Sequence, residues 1–189
     1  MSDETTQLIL RAQAGDNDAF GGLFEQYKNL VYRTAFLMLD DPHEAEDALQ
    51  EVFVLLHRSL AGFDPRRAAL STWLYRITIN HCLNQRRGHR PVSVRLDEVT
   101  AAGEFPGARL AEREAVWQAV RALSDKQRAI VILRYTWELS YAELSQVLEI
   151  PLGTVKSRLD LALKTLRRVL EEQDTGIVSL PEVEVKNEL

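Results

Sequence analysis

Apolar residues recur at helical spacing along most of the chain. In residues 19–39 they lie three or four positions apart, and the same spacing returns in residues 49–60, after the break at Asp40-Asp41-Pro42. The apolar positions of these two segments are Phe20, Leu23, Phe24, Tyr27, Val31, Phe36, Leu39, Leu49, Val52, Phe53, Leu56 and Leu60. Residues 72–87 form a third candidate helix, and a further helical block begins at Leu110. The pattern predicts an all-α protein.

The helical pattern fails between the two blocks. Residues 88–107, GHRPVSVRLDEVTAAGEFPG, combine Gly, Pro and small polar residues without a sustained period, which is typical of a linker. We therefore expect two small helical domains, residues 1–88 and 108–172, joined by a flexible linker over residues 89–107. Residues 173–189 carry Gly176 and Pro181 and are acidic, so they are expected to form a loosely held acidic tail.

Charge is segregated along the chain rather than mixed. Residues 1–51 hold three basic and eleven acidic side chains, a net of −8, whereas residues 52–95 hold eight basic and one acidic, a net of +7. Residues 150–173 carry +2 and residues 174–189 carry −3. Such blocks indicate one surface for a polyanion and another for a basic partner, although solvated helix faces would also produce them.

Several classes of function are not supported by the sequence. The single cysteine, Cys82, lies in an apolar pattern typical of a buried, inert thiol, and the four histidines show no metal-ligand spacing. No Gly-rich phosphate loop or paired nucleophile and base is present, so we expect neither an enzyme nor a cofactor or metal. No apolar run is long enough to cross a bilayer and the N-terminus is acidic, which favours a cytoplasmic protein.

The segment from Ser140 to Leu170 has the layout of a helix-turn-helix. Residues 141–148 form a short helix that Ser140 and Glu143 begin with a capping box, and the same box is expected for Ser124 with Gln127. Pro151 begins the second helix after a turn of about three residues, since a missing N–H costs nothing at that position. One side of the second helix is apolar: Leu152, Val155, Leu159, Ala162, Leu163 and Leu166.

A second helix of this kind lies in the DNA major groove. Its first turns contact base edges, and basic groups further along meet phosphates. The expected base contacts are Lys156, Ser157 and Asp160, and the expected phosphate contacts are Arg158, Lys164, Arg167 and Arg168. The alternative is an ordinary helical hairpin with a solvated basic face.

The run S-Y-A-E-L-S-x-x-L-x-I-P-x-G-T-V-K-S-R-L, residues 140–159, resembles region 4 of the extracytoplasmic-function sigma factors of bacterial RNA polymerase. The resemblance implies a domain that binds the minus-thirty-five promoter element as duplex DNA and docks on the flap of the polymerase β subunit. The residues expected at the minus-thirty-five element are Thr154, Lys156, Ser157, Arg158, Asp160, Leu161 and Lys164.

Two positions depart from the pattern of that family. Glu149 stands in the turn where the family commonly has Gly, so a left-handed backbone there carries a strain of about 1 kcal/mol. Leu161 stands where the family often has Arg, and it projects outward between Ser157 and Arg168. We expect Leu161 to make an apolar contact with a thymine methyl group.

In the first domain, the segment DPHEAEDALQEVFVLLHRSL, residues 41–60, predicts a helix with an acidic outer face. Its inward positions are Leu49, Val52, Phe53 and Leu56, and its outward positions are Asp47, Gln50, Glu51 and Val54. No basic residue lies four positions after either carboxylate. Such a face suits a basic helix, although solubility alone explains Asp47 and Glu51 equally well.

The next helix carries a narrow polar stripe. Arg76, Asn80, Asn84 and Arg87 fall in line beside Trp73, with apolar positions on both flanks, and the loop of residues 63–71 brings Arg66 and Arg67. Asn can read a base edge and Arg can hold a phosphate, so the stripe indicates contact with nucleic acid. A packing role for Trp73 is the alternative to direct stacking on a base.

These two segments, residues 41–60 and 63–87, resemble region 2 of the same family. The resemblance implies that the acidic face grips the coiled coil of the β′ clamp, and that the loop and stripe capture melted minus-ten bases as a single strand. The residues expected at the minus-ten element are Phe63, Arg66, Arg67, Trp73, Arg76, Asn80, Asn84 and Arg87, and those expected at core polymerase are Asp47, Gln50, Glu51 and Val54.

The whole chain is thus similar to a minimal two-domain sigma factor: no catalyst, but a promoter-specificity subunit of core RNA polymerase. The linker would let the two domains act as a bivalent reader. The resemblance also implies an anti-sigma factor as partner and a monomer when free. Two alternatives stay open, a dimeric helix-turn-helix regulator and a decoy that sequesters an anti-sigma factor.

Overall fold

The computed structural model describes residues 3–88 and 110–172, and all regular structure within these ranges is helical. The elements are α1 (Asp3–Gln13), α2 (Asn17–Leu39), α3 (Pro42–Ser59), a 3-10 turn (Leu60–Gly62), α4 (Leu70–Gly88), α5 (Leu110–Arg121), α6 (Asp125–Val131), a π turn (Ile132–Thr136), α7 (Tyr141–Leu148) and α8 (Leu152–Glu172). The all-α prediction is confirmed. The predicted linker, residues 89–107, and the predicted tail, residues 173–189, lie outside the described residues.

Local capping explains where several helices begin. The Asp16 carboxylate accepts from the Ala19 N–H at 3.0 Å, and the Asp41 carboxylate accepts from the Glu44 N–H at 2.9 Å, with Pro42 in the first turn. Both capping boxes predicted in the second domain are present. These interactions satisfy N–H groups that a helix start leaves without partners.

The first domain is a bundle in which α2 packs against α1, α3 and α4. Its core comprises Ile9, Leu23, Val31, Val52, Phe53, Leu56, Leu60, Leu70 and Leu74. Phe53 makes edge contacts with the rings of Phe20 and Phe24, at centroid distances of 6.4 and 4.8 Å. This packing turns the acidic residues of α3 outward, as predicted.

The second domain holds α8 against α5, α6 and α7. Val155, Leu159, Ala162 and Leu166 of α8 are buried, as the helical projection predicts. Leu152 is on the same apolar side but lies in the first turn of α8, where it is 46% exposed. The predicted start at Pro151 is one residue early. Pro151 instead precedes α8, and its carbonyl accepts from the N–H groups of Thr154 and Val155.

The two domains also pack against each other, which the sequence did not predict. One buried cluster runs from α2 and α4 into α5, α6, α7 and α8. The ring of Phe36 stacks on that of Trp117, with centroids 6.3 Å apart and planes at 13°. The structure therefore shows a closed arrangement of two helical domains.

Polar contacts surround this apolar contact. Arg121 Nε lies 2.6 Å from Asp40 Oδ2, and Trp117 Nε1 donates to Asp40 Oδ1 at 3.1 Å. Arg86 Nε lies 2.6 Å from Asp125 Oδ1. Asp40 lies about eighty positions from Trp117 and Arg121 in the chain. No local sequence pattern predicts contacts of this kind.

Candidate nucleic-acid interface

The turn between α7 and α8 is fixed by a few local hydrogen bonds. The Ser140 N–H donates to Glu143 Oε2 at 2.8 Å, which starts α7, and Ser145 Oγ donates to the Ile150 carbonyl at 2.6 Å, which closes the turn. Glu149 ends α7 with φ 53° and ψ 44°, which is the left-handed conformation whose strain was considered from the sequence. The helix-turn-helix geometry is therefore set within some ten residues.

Replacing Glu149 with glycine is expected to stabilise the protein relative to replacement with alanine by about 1 kcal/mol, because only glycine adopts this backbone without strain. Both variants lose the ion pair that Glu149 forms with Arg76 at 2.9 Å, so that contact cancels in the comparison. Urea unfolding of the two variants measures the difference. An alanine variant as stable as the glycine variant would show that the left-handed backbone at position 149 is not strained.

The predicted minus-thirty-five residues spread over the broad outer side of α8. Ser157 and Leu161 project into solvent, and Leu161 is 57% exposed, while Thr154 and Arg158 are partly buried beside them. Lys156, Asp160 and Lys164 are also exposed, and they border a groove described below, where Lys164 Nζ pairs with Asp160 Oδ2 at 2.8 Å. One edge of the predicted minus-thirty-five face therefore adjoins the groove.

The predicted stripe on α4 is only partly free. Asn80 and Asn84 are exposed, whereas Arg76 Nη1 donates to Glu149 Oε1 at 2.9 Å, across the contact between the domains. Arg87 belongs to α4, but its side chain lies outside the described part. The closed arrangement therefore joins a predicted minus-ten residue to the turn that precedes the predicted minus-thirty-five helix.

The loop before α4 is held at its base by aromatic packing. The rings of Phe63 and Trp73 stack with centroids 5.4 Å apart, and both pack against the core of the first domain. The exposed Arg66 binds the Asp64 carboxylate at 3.0 Å, which holds the pKa of Asp64 below its ordinary value. Arg67 is exposed. The packing role of Trp73 fits this geometry better than stacking on a base.

Gln13 is a residue that sequence reasoning missed. Its Nε2 donates to the Phe63 carbonyl at 2.6 Å and to the Leu60 carbonyl at 2.9 Å, so α1 anchors the start of this loop. A polar residue at the end of a helix gives no sequence signal for such a contact some fifty positions away.

The acidic face of α3 adjoins the stripe on α4. Asp47, Gln50, Glu51 and Val54 are all exposed, as predicted. Asp47 and Glu51 also line a cleft of about 600 Å³ whose other wall carries Asn80 and Asn84. The predicted polymerase face and the predicted minus-ten stripe therefore meet in one cleft rather than on separate surfaces.

A second cavity, the α8 groove, was not predicted. We define it by Trp117, Ile132, Tyr135, Leu159 and Leu163, and its volume is about 550 Å³. Its rim carries Lys156, Asp160, Lys164 and Arg167. The π turn that follows α6 contributes Tyr135, which is 40% exposed. Because the lining comes from α2, α5, α6, the π turn, α7 and α8, no single stretch of sequence reveals the groove.

The described residues, 3–88 and 110–172, have neither a metal-binding cluster nor a membrane-spanning helix. Within these ranges no cluster of three or more His, Cys, Asp or Glu side chains is placed to bind a metal ion. Of the helices in the same ranges, none is sufficiently long and apolar to cross a membrane.

Two family models match the chain in order. Residues 23–92 match Sigma-70 region 2, and residues 113–166 match Sigma-70, region 4. The first match contains α3 and the stripe on α4, and the second contains the helix-turn-helix.

Curated relatives align along almost their whole length. The ECF RNA polymerase sigma factor SigW of Bacillus subtilis is 33% identical over 180 residues, covering 87% of this chain and 95% of the relative. The ECF RNA polymerase sigma factor SigM of Mycobacterium tuberculosis is 33% identical over 172 residues, covering 90% of this chain and 87% of the relative.

Solved structures share the fold. CnrH, solved in complex with the cytosolic domain of CnrY, superposes with a TM-score of 0.69 at 25% identity, covering 90% of this chain and 99% of that one. The sigma factor RpoE of Bartonella quintana, solved with the anti-sigma factor NepR, gives a TM-score of 0.66 at 22% identity. The superposition covers 80% of this chain and 96% of RpoE.

Proposed function

The chain belongs to the extracytoplasmic-function sigma factors of bacterial RNA polymerase, and from that premise we propose that its two helical domains read separate promoter elements while α3 holds the polymerase. As a member of this family it is an alternative sigma factor, a non-enzymatic subunit that directs promoter-specific transcription. We place its action in the cytoplasm, where bacterial transcription occurs.

In the second domain, α8 enters the major groove of the minus-thirty-five element. Its exposed side chains at Ser157 and Leu161 face base edges, and Arg158, Lys164 and Thr154 contribute to backbone contacts. Support comes from the well-formed turn and from the outward position of Leu161, which is 57% exposed on the same side of α8 as Ser157. This domain also docks on the β flap.

In the first domain, the exposed face formed by Asp47, Gln50, Glu51 and Val54 binds the coiled coil of the β′ clamp. The neighbouring Asn80 and Asn84 capture melted minus-ten bases, and Arg66 and Arg67 hold the strand. The observation that carries this proposal is the cleft that Asp47 and Glu51 of α3 share with Asn80 and Asn84 of α4, because a strand bound by the two asparagines lies next to the proposed polymerase face.

The free protein is proposed to be a monomer that binds an anti-sigma factor. Support comes from CnrH, which was solved with the cytosolic domain of CnrY. If the chain were instead a dimeric helix-turn-helix regulator, gel filtration would show a dimer. If it were a decoy for an anti-sigma factor, adding it to core polymerase would produce no promoter-specific transcription.

The decisive experiment is transcription of fragmented genomic DNA by bacterial core polymerase with and without this protein. New transcript 5′ ends that require both components support the proposed function, and their absence contradicts it. Reversing Asp47 and Glu51 to lysine should weaken binding to core polymerase and remove these transcripts. Reversing Asp18, an exposed acidic residue on α2, should leave them unchanged.

Replacing Leu161 with arginine should change the preferred base at one upstream position by about tenfold in relative affinity, because arginine favours guanine where leucine favours a thymine methyl. Competition binding with duplexes that vary at each upstream position measures this. The matched control, Gln146→Arg on the exposed side of α7, adds the same charge and should strengthen binding uniformly. Identical base preferences for the wild type and Leu161→Arg would contradict the contact.

A further inference from the structure

The α8 groove offers an apolar surface next to the proposed DNA-binding face. Its walls are aromatic and aliphatic, and Tyr135 keeps 40% of its surface exposed there. The π turn that carries Tyr135 departs from ordinary helix, and such turns often occur at functional sites. An apolar groove of this size on a small protein generally marks an interaction site.

The rim of the groove favours an acidic occupant. Lys156, Lys164 and Arg167 surround the apolar walls, with Asp160 as the acidic residue among them. Lys164 is paired with Asp160, but Lys156 and Arg167 form no ion pair with any other residue of the described ranges. Two cations are thus available to carboxylates that approach the groove.

The C-terminal segment of this chain has the matching chemistry. Residues 173–189, QDTGIVSLPEVEVKNEL, hold four acidic residues and one lysine. Within PEVEV, acidic and apolar residues alternate, so an extended chain places Val183 and Val185 on one side and Glu182 and Glu184 on the other. Apolar side chains suit the walls, and carboxylates suit the rim.

Residues 173–189 are also long enough to reach the α8 groove. It follows Glu172, the last residue of α8, and α8 itself forms one wall of the groove. The rim from Arg167 back to Lys156 extends about 16 Å at the rise of a helix, whereas seventeen extended residues span up to about 55 Å. A reversal at Gly176 would bring the following residues alongside α8.

We propose that residues 177–185 bind in the α8 groove of their own chain, with Glu182 and Glu184 facing Lys156 and Arg167. This inference rests on the proposed function in one respect: bound there, the segment shields part of the minus-thirty-five face and weakens DNA binding. It adds to that function a control that needs no second protein.

Cysteine cross-linking in the full chain tests the placement without polymerase or promoter. Thr136→Cys lies on the groove, and Val183→Cys lies in the segment. The native Cys82 is buried, and burial raises its pKa to about 12, so it should stay unreactive. Mild oxidation should yield an intrachain disulfide between the introduced thiols.

The control pairs Val183→Cys with Leu161→Cys, which is on α8 but away from the groove. Equal cross-linking of both pairs, or none in the groove pair, overturns the placement. A cross-linked dimer at twice the mass also overturns it, because the occupant is then a second copy. These outcomes leave the proposed function untouched.

The shielding is tested separately by binding to a minus-thirty-five duplex. Glu182→Gln with Glu184→Gln should raise affinity about fivefold at low salt, and the gain should shrink as salt screens the charges. Asp174→Asn, a charge change before the alternating stretch, should raise it less. Equal effects of the two changes, or a gain that salt does not reduce, would overturn the shielding.

Discussion

Replacing Arg128 with methionine is expected to lower the free energy of unfolding by about 2 kcal/mol, because the part-buried Arg121 carbonyl loses its charged donor and the Met38 carbonyl keeps only the one from Arg86. Arg128 is 3% exposed, and its guanidinium donates to the Met38 carbonyl at 3.0 Å and to the Arg121 carbonyl at 2.7 Å. These carbonyls lie in the last turns of α2 and α5, where intrahelical partners are missing and the helix dipole is negative.

Burial lowers the pKa of Arg128 to about 10, with the neighbouring Arg86 acting in the same direction, so the side chain stays charged at neutral pH. Urea unfolding monitored by tryptophan fluorescence measures the loss. Arg128→Lys is the matched control: it keeps the charge but not the two-pronged donor, and we expect an intermediate loss. A methionine variant as stable as the wild type would show that Arg128 contributes no net stability to the contact.

The helices were predictable because their signals are local. The apolar period in residues 19–39 corresponds to α2, and the capping pair of Ser140 with Glu143 marks the start of α7. The left-handed backbone of Glu149 occurs where the resembling family commonly has Gly, which is the position at which strain was considered from the sequence.

The contact between the domains was not predictable in this way. Arg128 precedes the apolar run AIVIL, and on sequence alone an arginine there belongs on the surface. Only the approach of α2 to α5 and α6 gives it two carbonyl partners. The same holds for Asp40, whose partners Trp117 and Arg121 come from the second domain.

The candidate site was predicted by residue but not by arrangement. Sequence reasoning identified the exposed residues of α3 and the stripe on α4 separately, whereas the cleft that Asp47 shares with Asn80 depends on how the two helices pack. The assignment of these residues to polymerase and to minus-ten bases stays a prediction until the transcription and binding experiments are done.

The closed arrangement conflicts with simultaneous reading of two promoter elements. Elements at minus thirty-five and minus ten lie about 25 base pairs apart, which is about 85 Å along the duplex. In the structure, however, Arg76 of the α4 stripe contacts Glu149 at the helix-turn-helix, and α8 itself is only about 30 Å long. For the two domains to read both elements as proposed, they must separate, and residues 89–109 between them can span up to about 70 Å when extended.

Linking the domains covalently is expected to reduce promoter-dependent transcription by at least about a hundredfold, because a bivalent reader loses its avidity when both sites cannot be engaged together. Arg86 and Asp125, which pair at 2.6 Å across the contact, can both be replaced by cysteine and joined with a short, thiol-cleavable bismaleimide. Neither residue belongs to the proposed DNA or polymerase faces. Transcript yield with core polymerase is then measured before and after cleavage of the linker.

Two controls distinguish the effect of linking the domains from the effect of the substitutions themselves. The double variant without the reagent controls for the loss of the ion pair, and thiol cleavage of the linked protein should restore its transcript yield to the level of that variant. Binding of the isolated minus-thirty-five duplex should change far less than transcription, because α8 keeps its exposed face in the closed arrangement. A linked protein that transcribes as well as the cleaved one would show that the closed arrangement already reads both elements, and the requirement for opening would then be wrong.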